Sequence, residues 1–428
     1  MKRFAIATLG CKVNLYESES YVEQLKQLGY QEVDFKEPAD IYIINTCAVT
    51  NTASQKSRQK INQAKTHNAD AFVCVVGCYV QSDAKAQNLD VDLLVGSSNK
   101  DQLAQLIDQA YQSNEKVNMV QTYDDLQQFE ALQVHQFHEK TRAFLKIQDG
   151  CNQFCSYCII PYARGKERSL ALASALEQAR GLVAAGHKEI VLTGIHTGRY
   201  GHGTNDSLYE LLKEMVAIEG LLRIRISSIE MNEVSDEILA LIASEDKIAK
   251  HLHIPIQSGS DTMLLAMNRP YTIASFKEKV KQIRKLMPDI SISSDIIMGF
   301  PGESEADVQT TLQTIKDVNF SFLHVFPFSK RDGTKAETLQ NHVPKALKKE
   351  RCAVVSAQSK AQYADYIASF VGKKLTVLFE TIKDGYAVGH SSEYIQVRLK
   401  GDNSLLNQLV IVTAIHSDGQ VLTANIGG

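Results

Sequence analysis

Strand-like and helix-like segments alternate twice along this chain, and the alternation stops at Val371. Residues 1–110 offer strand candidates at Lys2–Leu9, Asp40–Asn45, Ala71–Val76 and Leu93–Val95. Helix candidates lie between them at Leu15–Leu28, Thr52–Thr66 and Asp101–Tyr111. Strands that are apolar on both faces, separated by amphipathic helices, predict a doubly wound parallel sheet. Residues 141–330 resume the pattern. Strands are expected at Ala143–Gln148, Glu189–Thr193, Leu222–Ser227, Leu252–Ile256, Ile290–Met298 and Phe322–Phe326, with five intervening helices. Such βα repetition predicts a partial, TIM-like (β/α)6 barrel whose sites lie at the carboxyl ends of its strands. After Val371 five short strands crowd into fewer than sixty residues, the pattern of a small OB-like β-barrel. The expected domains are 1–135, 136–369 and 370–428, with a polar connector over 112–140.

A length of 428 residues exceeds one ordinary core and suits this three-part division. Hydrophobic content of 44% and charged content of 22% describe a soluble globular protein, and no stretch approaches a membrane span. Eight cysteines are too few for a disulfide scaffold, which points to reduced thiols and a cytoplasmic location. The net charge of −3 provides no global attraction to nucleic acid, so any RNA contact needs a local basic patch.

The placement of the cysteines carries the chemistry. Cys151, Cys155 and Cys158 are spaced C-x-x-x-C-x-x-C just after a predicted strand. Thiolates are the natural ligands of iron–sulfur clusters, and three from one loop leave the fourth iron of a cubane open. A zinc site short of one ligand is an alternative, but zinc pairs usually recur or are joined by histidines. Buried core cysteines are another, but these do not usually cluster in a loop with Asn152, Gln153 and Ser156. Cys11, Cys47 and Cys78 lie tens of residues apart, yet each sits just past the carboxyl end of a predicted parallel strand. Those ends share one edge, where open α/β sheets bind ligands. A second three-thiolate site is expected there. Cys74 falls mid-strand and Cys352 mid-helix, so both read as core residues. His135 and His138 read as solvated linker residues.

In the central region the unusual residues follow the strands: Gly194–Gly201, Ser227 with Ser228 and Glu230, Gln257–Ser260, and Gly299–Glu303. Gly- and polar-rich loops gathered at one barrel end suit a pocket that binds a small polar molecule. Arg164-Gly-Lys-Glu-Arg168 is either a solvated basic turn or a contact for phosphate or polar ligand groups.

The 151–158 spacing, with Tyr157 before the last cysteine, resembles the radical S-adenosylmethionine (SAM) enzymes. The segments Thr8–Ser18, Asn45–Thr50 and Val76–Gln81 resemble the N-terminal cysteine motifs of the methylthiotransferases within that superfamily. The resemblance implies two 4Fe-4S clusters, one on Cys151, Cys155 and Cys158 that cleaves SAM, and an auxiliary one on Cys11, Cys47 and Cys78 that takes part in sulfur insertion. It implies SAM contacts from Tyr157, Gly194, Ser228, Gln257, Ser294 and Asp295. The last sixty residues resemble the RNA-binding TRAM domain of that family. Its basic and acidic residues balance at five each, so binding would rest on local placement and on Phe379, Tyr386 and Tyr394. The implied reaction replaces C–H by C–S–CH3 and draws on an electron donor such as flavodoxin or ferredoxin. The implied substrates are tRNA with threonylcarbamoyl-adenosine or isopentenyl-adenosine beside the anticodon, or a ribosomal-protein aspartate. Gly10–Asn14 resembles the threonylcarbamoyl-adenosine branch, whose partner is the tRNA anticodon loop. An iron–sulfur RNA-binding module without catalysis is the alternative from another class.

Overall fold

A computed structural model describes residues 2–122, 128–137 and 141–427. The expected α/β architecture is present in the first two regions, and the expected small β-barrel in the third. The first sheet is wholly parallel, in the order Gln31–Glu32, Arg3–Thr8, Ile41–Thr46, Phe72–Gly77, Leu93–Val95, Val117–Met119. Alternate residues of its strands enter two different cores. Phe4, Ile41, Ile43 and Cys74 face one, while Ala5, Tyr42, Ile44 and Val75 face the other. Burial on both faces explains the continuous apolar runs. Cys74 is fully buried among them.

Two short strands complete the sheet, one of them in the connector, where the sequence leaves a short strand or helix open. Gln31–Glu32 is exposed on both faces and too brief to show alternation. Val117–Met119 adds the last strand of the sheet from within the polar connector. The connector is also less solvated than expected, since Leu132, Val134 and Phe137 are buried in the main core. His135 is exposed, and its ring Nδ1 stands 2.9 Å from Glu23 Oε2. His138 and residues 123–127 lie outside the described residues.

The central region is an open half-barrel of six parallel strands. Arg142–Lys146, Glu189–Thr193 and Arg223–Ile226 form one sheet, and His251–His253, Ser291–Met298 and Phe322–Pro327 the other. Single bridges at Ile224 with Ile248 and Ser228 with His253 join the two. Among the described residues no pairing closes the barrel between its edge strands, Arg142–Lys146 and Phe322–Pro327. Helix Lys12–Gln27 of the first region packs on the edge strand Arg142–Lys146.

The C-terminal region is a closed five-stranded barrel of Lys374–Lys383, Tyr386–Ser391, Gln396–Lys400, Leu422–Asn425 and Leu409–Ser417. It seals the amino-terminal ends of the half-barrel strands. Arg223 donates to the carbonyls of His390 (2.9 Å) and Thr376 (2.8 Å), and Arg225 to those of Ser391 and Ser392, both at 3.2 Å. The three aromatics expected to stack on RNA are therefore not equivalent. Phe379 is fully buried in the barrel core. Tyr394 stacks on His251 with centroids 5.1 Å apart, facing the half-barrel. Of the three, only Tyr386 lies on the outer surface away from this junction.

Candidate functional site

The loop Cys151–Cys158 leaves the first half-barrel strand at its carboxyl end and is held from three sides. Cys151 N donates to Gly165 O (3.1 Å), Ser156 N to Met267 O (3.0 Å), and Ala336 N to Ser156 O (2.7 Å). Gly150 has φ +73°, and a Cβ there would fall 2.0 Å from Lys166 O. A side chain at this position would break the loop from its support.

Each thiol has a distinct setting. Arg269 Nη1 donates to Cys155 Sγ at 3.3 Å, and Arg269 also pairs with Glu230. Cys151 Sγ stands 3.5 Å from His196 Nδ1, whose Nε2 stands 2.8 Å from Glu233 Oε1. Burial pushes the Cys158 thiol up to about 12. His196 belongs to the glycine-bearing loop after the second strand, but its place against Cys151 was not legible in the sequence.

Cys11, Cys47 and Cys78 converge at the carboxyl edge of the first sheet, as parallel strand ends must. Gly10 packs so closely on Cys47 that a Cβ on it would fall 2.7 Å from Cys47 Cβ and 2.8 Å from its Sγ. Asn14 ties the group together: its Nδ2 donates to Leu9 O (2.7 Å) and Thr46 O (2.9 Å), and Cys11 Sγ stands 3.7 Å from its Oδ1. Burial raises the Cys47 thiol to about 12, and the nearby Cys78 adds to the shift.

The two cysteine sets share one wall. Cys78 opens the short helix Cys78–Ser82, which packs on helix Ile160–Arg164 directly after the 151–158 loop. Ala48, Cys78, Ile159 and Ala163 form one small apolar cluster between them. A cavity of about 260 Å³ is lined by Tyr157, Cys158 and Ile159 on one side and by Val49 and Thr50, from the loop after Cys47, on the other.

Within the Arg164–Arg168 segment Lys166 is exposed, but Arg164 is not part of a solvated turn. Arg164 is fully buried at the junction of the two regions. Its Nε donates to Cys78 Sγ (3.1 Å), Nη1 to Glu17 Oε1 (2.9 Å) and Asp149 Oδ1 (3.2 Å), and Nη2 to Asn14 Oδ1 (2.7 Å). Lys100 Nζ and Lys146 Nζ also reach Glu17 Oε1, at 2.9 and 3.0 Å. Burial alone would raise the Glu17 carboxyl, but Arg164, Lys100 and Lys146 hold it well below the usual carboxylate range. Glu17 sits in the opening cysteine motif, and a single acidic residue there carried no sign of pairing with three cations.

Gln257 and Asp295 also line the 260 Å³ cavity, and Gln257 takes a left-handed φ of +66°. Ser228 and Asp295 line a larger chamber of about 620 Å³ inside the half-barrel, which adjoins the first cavity at Asp295 and Phe326. Gly194 packs on Gln148, where a Cβ would meet Gln148 Cβ at 3.0 Å. Ser294 reaches neither cavity. It is fully buried and accepts from Ile256 N at 2.8 Å, because alternate residues of Ser291–Met298 point away from the lumen.

The donor chemistry fits iron–sulfur clusters. All eight cysteines are free thiols, and six form two groups of three. Metal binding takes the proton from a coordinating thiol. Arginine donors at Cys78 and Cys155 are suited to the resulting negative charge.

Comparison with known proteins gives a consistent result. Residues 3–96 match the family described as Uncharacterized protein family UPF0004, and residues 145–315 match the Radical SAM superfamily. A protein of Bacillus subtilis (strain 168) named threonylcarbamoyladenosine tRNA methylthiotransferase MtaB is 42% identical over 96% of this chain and 93% of its own length. An Aquifex aeolicus (strain VF5) protein of the same name is 38% identical over 93% and 97%. A Clostridium novyi (strain NT) protein named tRNA-2-methylthio-N(6)-dimethylallyladenosine synthase is 35% identical over 89% and 86%. Among solved structures, the radical SAM methyltransferase TsrM of Kitasatospora setae shares the fold, with a TM-score of 0.60 at 14% identity over 79% of this chain and 77% of its own. Membership of the radical SAM superfamily implies SAM and a 4Fe-4S cluster as cofactors. With two matched domains and relatives aligned over nearly their whole length, the chain belongs to the methylthiotransferase family of radical SAM proteins.

Proposed function

We propose that this protein is a tRNA methylthiotransferase that converts N6-threonylcarbamoyladenosine, next to the anticodon, to its 2-methylthio derivative. The observation that carries this reading is the shared wall between the two cysteine groups, with Thr50 and Cys158 on opposite sides of one cavity. Relatives named for this reaction align over almost the whole chain.

Cys151, Cys155 and Cys158 would hold the cluster that binds SAM, and Cys11, Cys47 and Cys78 an auxiliary cluster. When bound, these groups supply the radical and the sulfur that an inert C–H bond demands, since no side chain is basic enough to take that hydrogen as a proton. The residues of the chain orient and enclose. Tyr157, Gln257 and Asp295 border the space beside Cys158, and Gly194 and Ser228 shape the strand ends around it. Ser294 acts at one remove, by fixing the backbone at Ile256. The target base lies in a single-stranded anticodon loop and would be splayed into the half-barrel. A flavodoxin- or ferredoxin-type donor would supply electrons.

Nucleoside mass spectrometry of tRNA from a strain lacking the gene tests the reading. Loss of the methylthio group from threonylcarbamoyladenosine is expected, and an unchanged level overturns it. Reconstituted protein should hold about eight irons, whereas about four would sink the two-cluster assignment.

A further inference from the structure

The 620 Å³ chamber holds a cation that the cluster chemistry does not use. Lys12 directly follows Cys11 at the start of helix Lys12–Gln27, and its side chain lines the chamber across the open side of the half-barrel. None of the six grouped cysteines lines this space. The other lining cation is already engaged. Arg225 donates to Glu189 Oε1 at 3.0 Å and to two carbonyls of the C-terminal barrel. Lys12 has no hydrogen-bond or ion-pair partner among the described residues.

Nearby cations bear on the histidines of the chamber. His251 is held well below the ordinary histidine range by burial first and then by Arg225, His253 and Lys12. His324 is lowered by burial too, with His253 and Lys12 opposing the pull of Asp295. Ser227, Ser228 and Ser293 add hydroxyls, and Tyr394 closes the floor. Two carboxylates, Asp295 and Glu393, also line the chamber, and Asp295 stands 3.3 Å from His253. A space with an unpaired ammonium, polar hydroxyls and an aromatic floor suits a small, hydroxylated, anionic group.

We propose that Lys12 is the specificity-determining residue that receives the carboxylate of the substrate's threonylcarbamoyl group, with the chamber enclosing that side chain. This rests on the reading of the protein as a threonylcarbamoyladenosine methylthiotransferase. The geometry of the base agrees with it. The carbon that gains sulfur is carbon 2 of the ring, whereas the side chain hangs from the exocyclic nitrogen on carbon 6, so the two groups leave the base at different positions. A base presenting carbon 2 beside Cys158 can therefore extend its side chain into the adjoining chamber through the junction at Asp295 and Phe326. An isopentenyl side chain is neutral and apolar, and would leave the ammonium unpaired.

The test uses holoenzyme with both clusters and synthetic anticodon stem-loops that differ only at the modified adenosine. One carries threonylcarbamoyladenosine, and the other its neutral methyl ester. Wild-type enzyme should prefer the free acid in kcat/KM by roughly 10- to 100-fold, the range of one hydrogen bond to a charged group. Lys12→Gln should collapse that preference to near unity, and Lys12→Arg should restore part of it. Iron content and SAM cleavage without RNA are measured alongside. An equal loss on both stem-loops would assign Lys12 to the cluster instead and overturn the proposal. So would an undiminished preference. If Lys12→Gln fails to load iron, the wild-type comparison still decides, because equal turnover of acid and ester refutes carboxylate recognition. Failure of wild-type enzyme to act on the threonylcarbamoyl stem-loop at all would refute the underlying function instead.

Discussion

Arg164 Nε donates to Cys78 Sγ across 3.1 Å, and this contact joins the half-barrel to the first sheet at a cysteine. The same guanidinium pairs with Glu17 and Asp149, so one side chain fixes the junction between the two cysteine groups. Arginine suits this post because its planar fork serves several acceptors at once and stays charged when buried.

Replacing Arg164 by methionine should destabilise the protein strongly. Glu17 and Asp149 would each lose a buried partner, and breaking a buried pair from one side costs about 3–5 kcal/mol. Arg164→Lys keeps the charge without the fork and should fall between. Thermal unfolding of the three proteins measures the order. Equal melting temperatures would show that the junction does not depend on the guanidinium.

Gly10→Ala should strip the auxiliary site selectively. The added Cβ would fall 2.7 Å from Cys47 Cβ, at a backbone φ of +107° that resists any side chain. Iron content should drop from about eight toward about four, with the Cys151–Cys158 site retained. Gly29→Ala is the control, with φ +86° but nothing within 4 Å of the new Cβ. It should keep its iron.

Stability should fall in acid partly through Glu189. Burial opposes its charge, but Arg225 and Arg223 outweigh burial and hold the carboxyl at about 2, below its ordinary 4.5. A depressed folded value means the contribution is complete above pH 4.5 and is lost as the pH falls from there toward 2. Glu189→Gln should lower stability at neutral pH and flatten that part of the profile. Denaturant midpoints across this window provide the measurement, and parallel profiles would refute the assignment.

Tyr394→Ala should loosen the C-terminal barrel from the half-barrel. The ring stacks on His251 and His390 at 5.1 and 5.0 Å, and the Arg225 guanidinium lies 4.7 Å from its centroid. Each such aromatic contact is worth about 0.5–1.5 kcal/mol. Amide exchange should accelerate in Tyr386–Ser391 and Gln396–Lys400 while the first sheet stays protected. Uniform protection would show that the carbonyl contacts of Arg223 and Arg225 suffice alone.

By itself the sequence determined the three-part α/β, half-barrel and β-barrel order, and the convergence of Cys11, Cys47 and Cys78. Both follow from local pattern: apolar runs define parallel strands, and residues just past parallel strand ends must share an edge. It could not determine partners chosen across long separations. Arg164 finds Cys78 from 86 positions away, and nothing in a basic turn distinguishes a buried hub from a solvated one. Ser294 and Asp295 are adjacent, yet only Asp295 faces the lumen, because strand alternation sends neighbours to opposite faces and the register fixes which one points in. Phe379 and Tyr386 both read as aromatics of a small barrel, and closure of that barrel buried one and left the other outside. Lys12 was one residue of a motif until helix packing on the open half-barrel set its ammonium in the chamber. Burial and pairing are properties of surfaces brought together, and those surfaces exist only once the domains have packed.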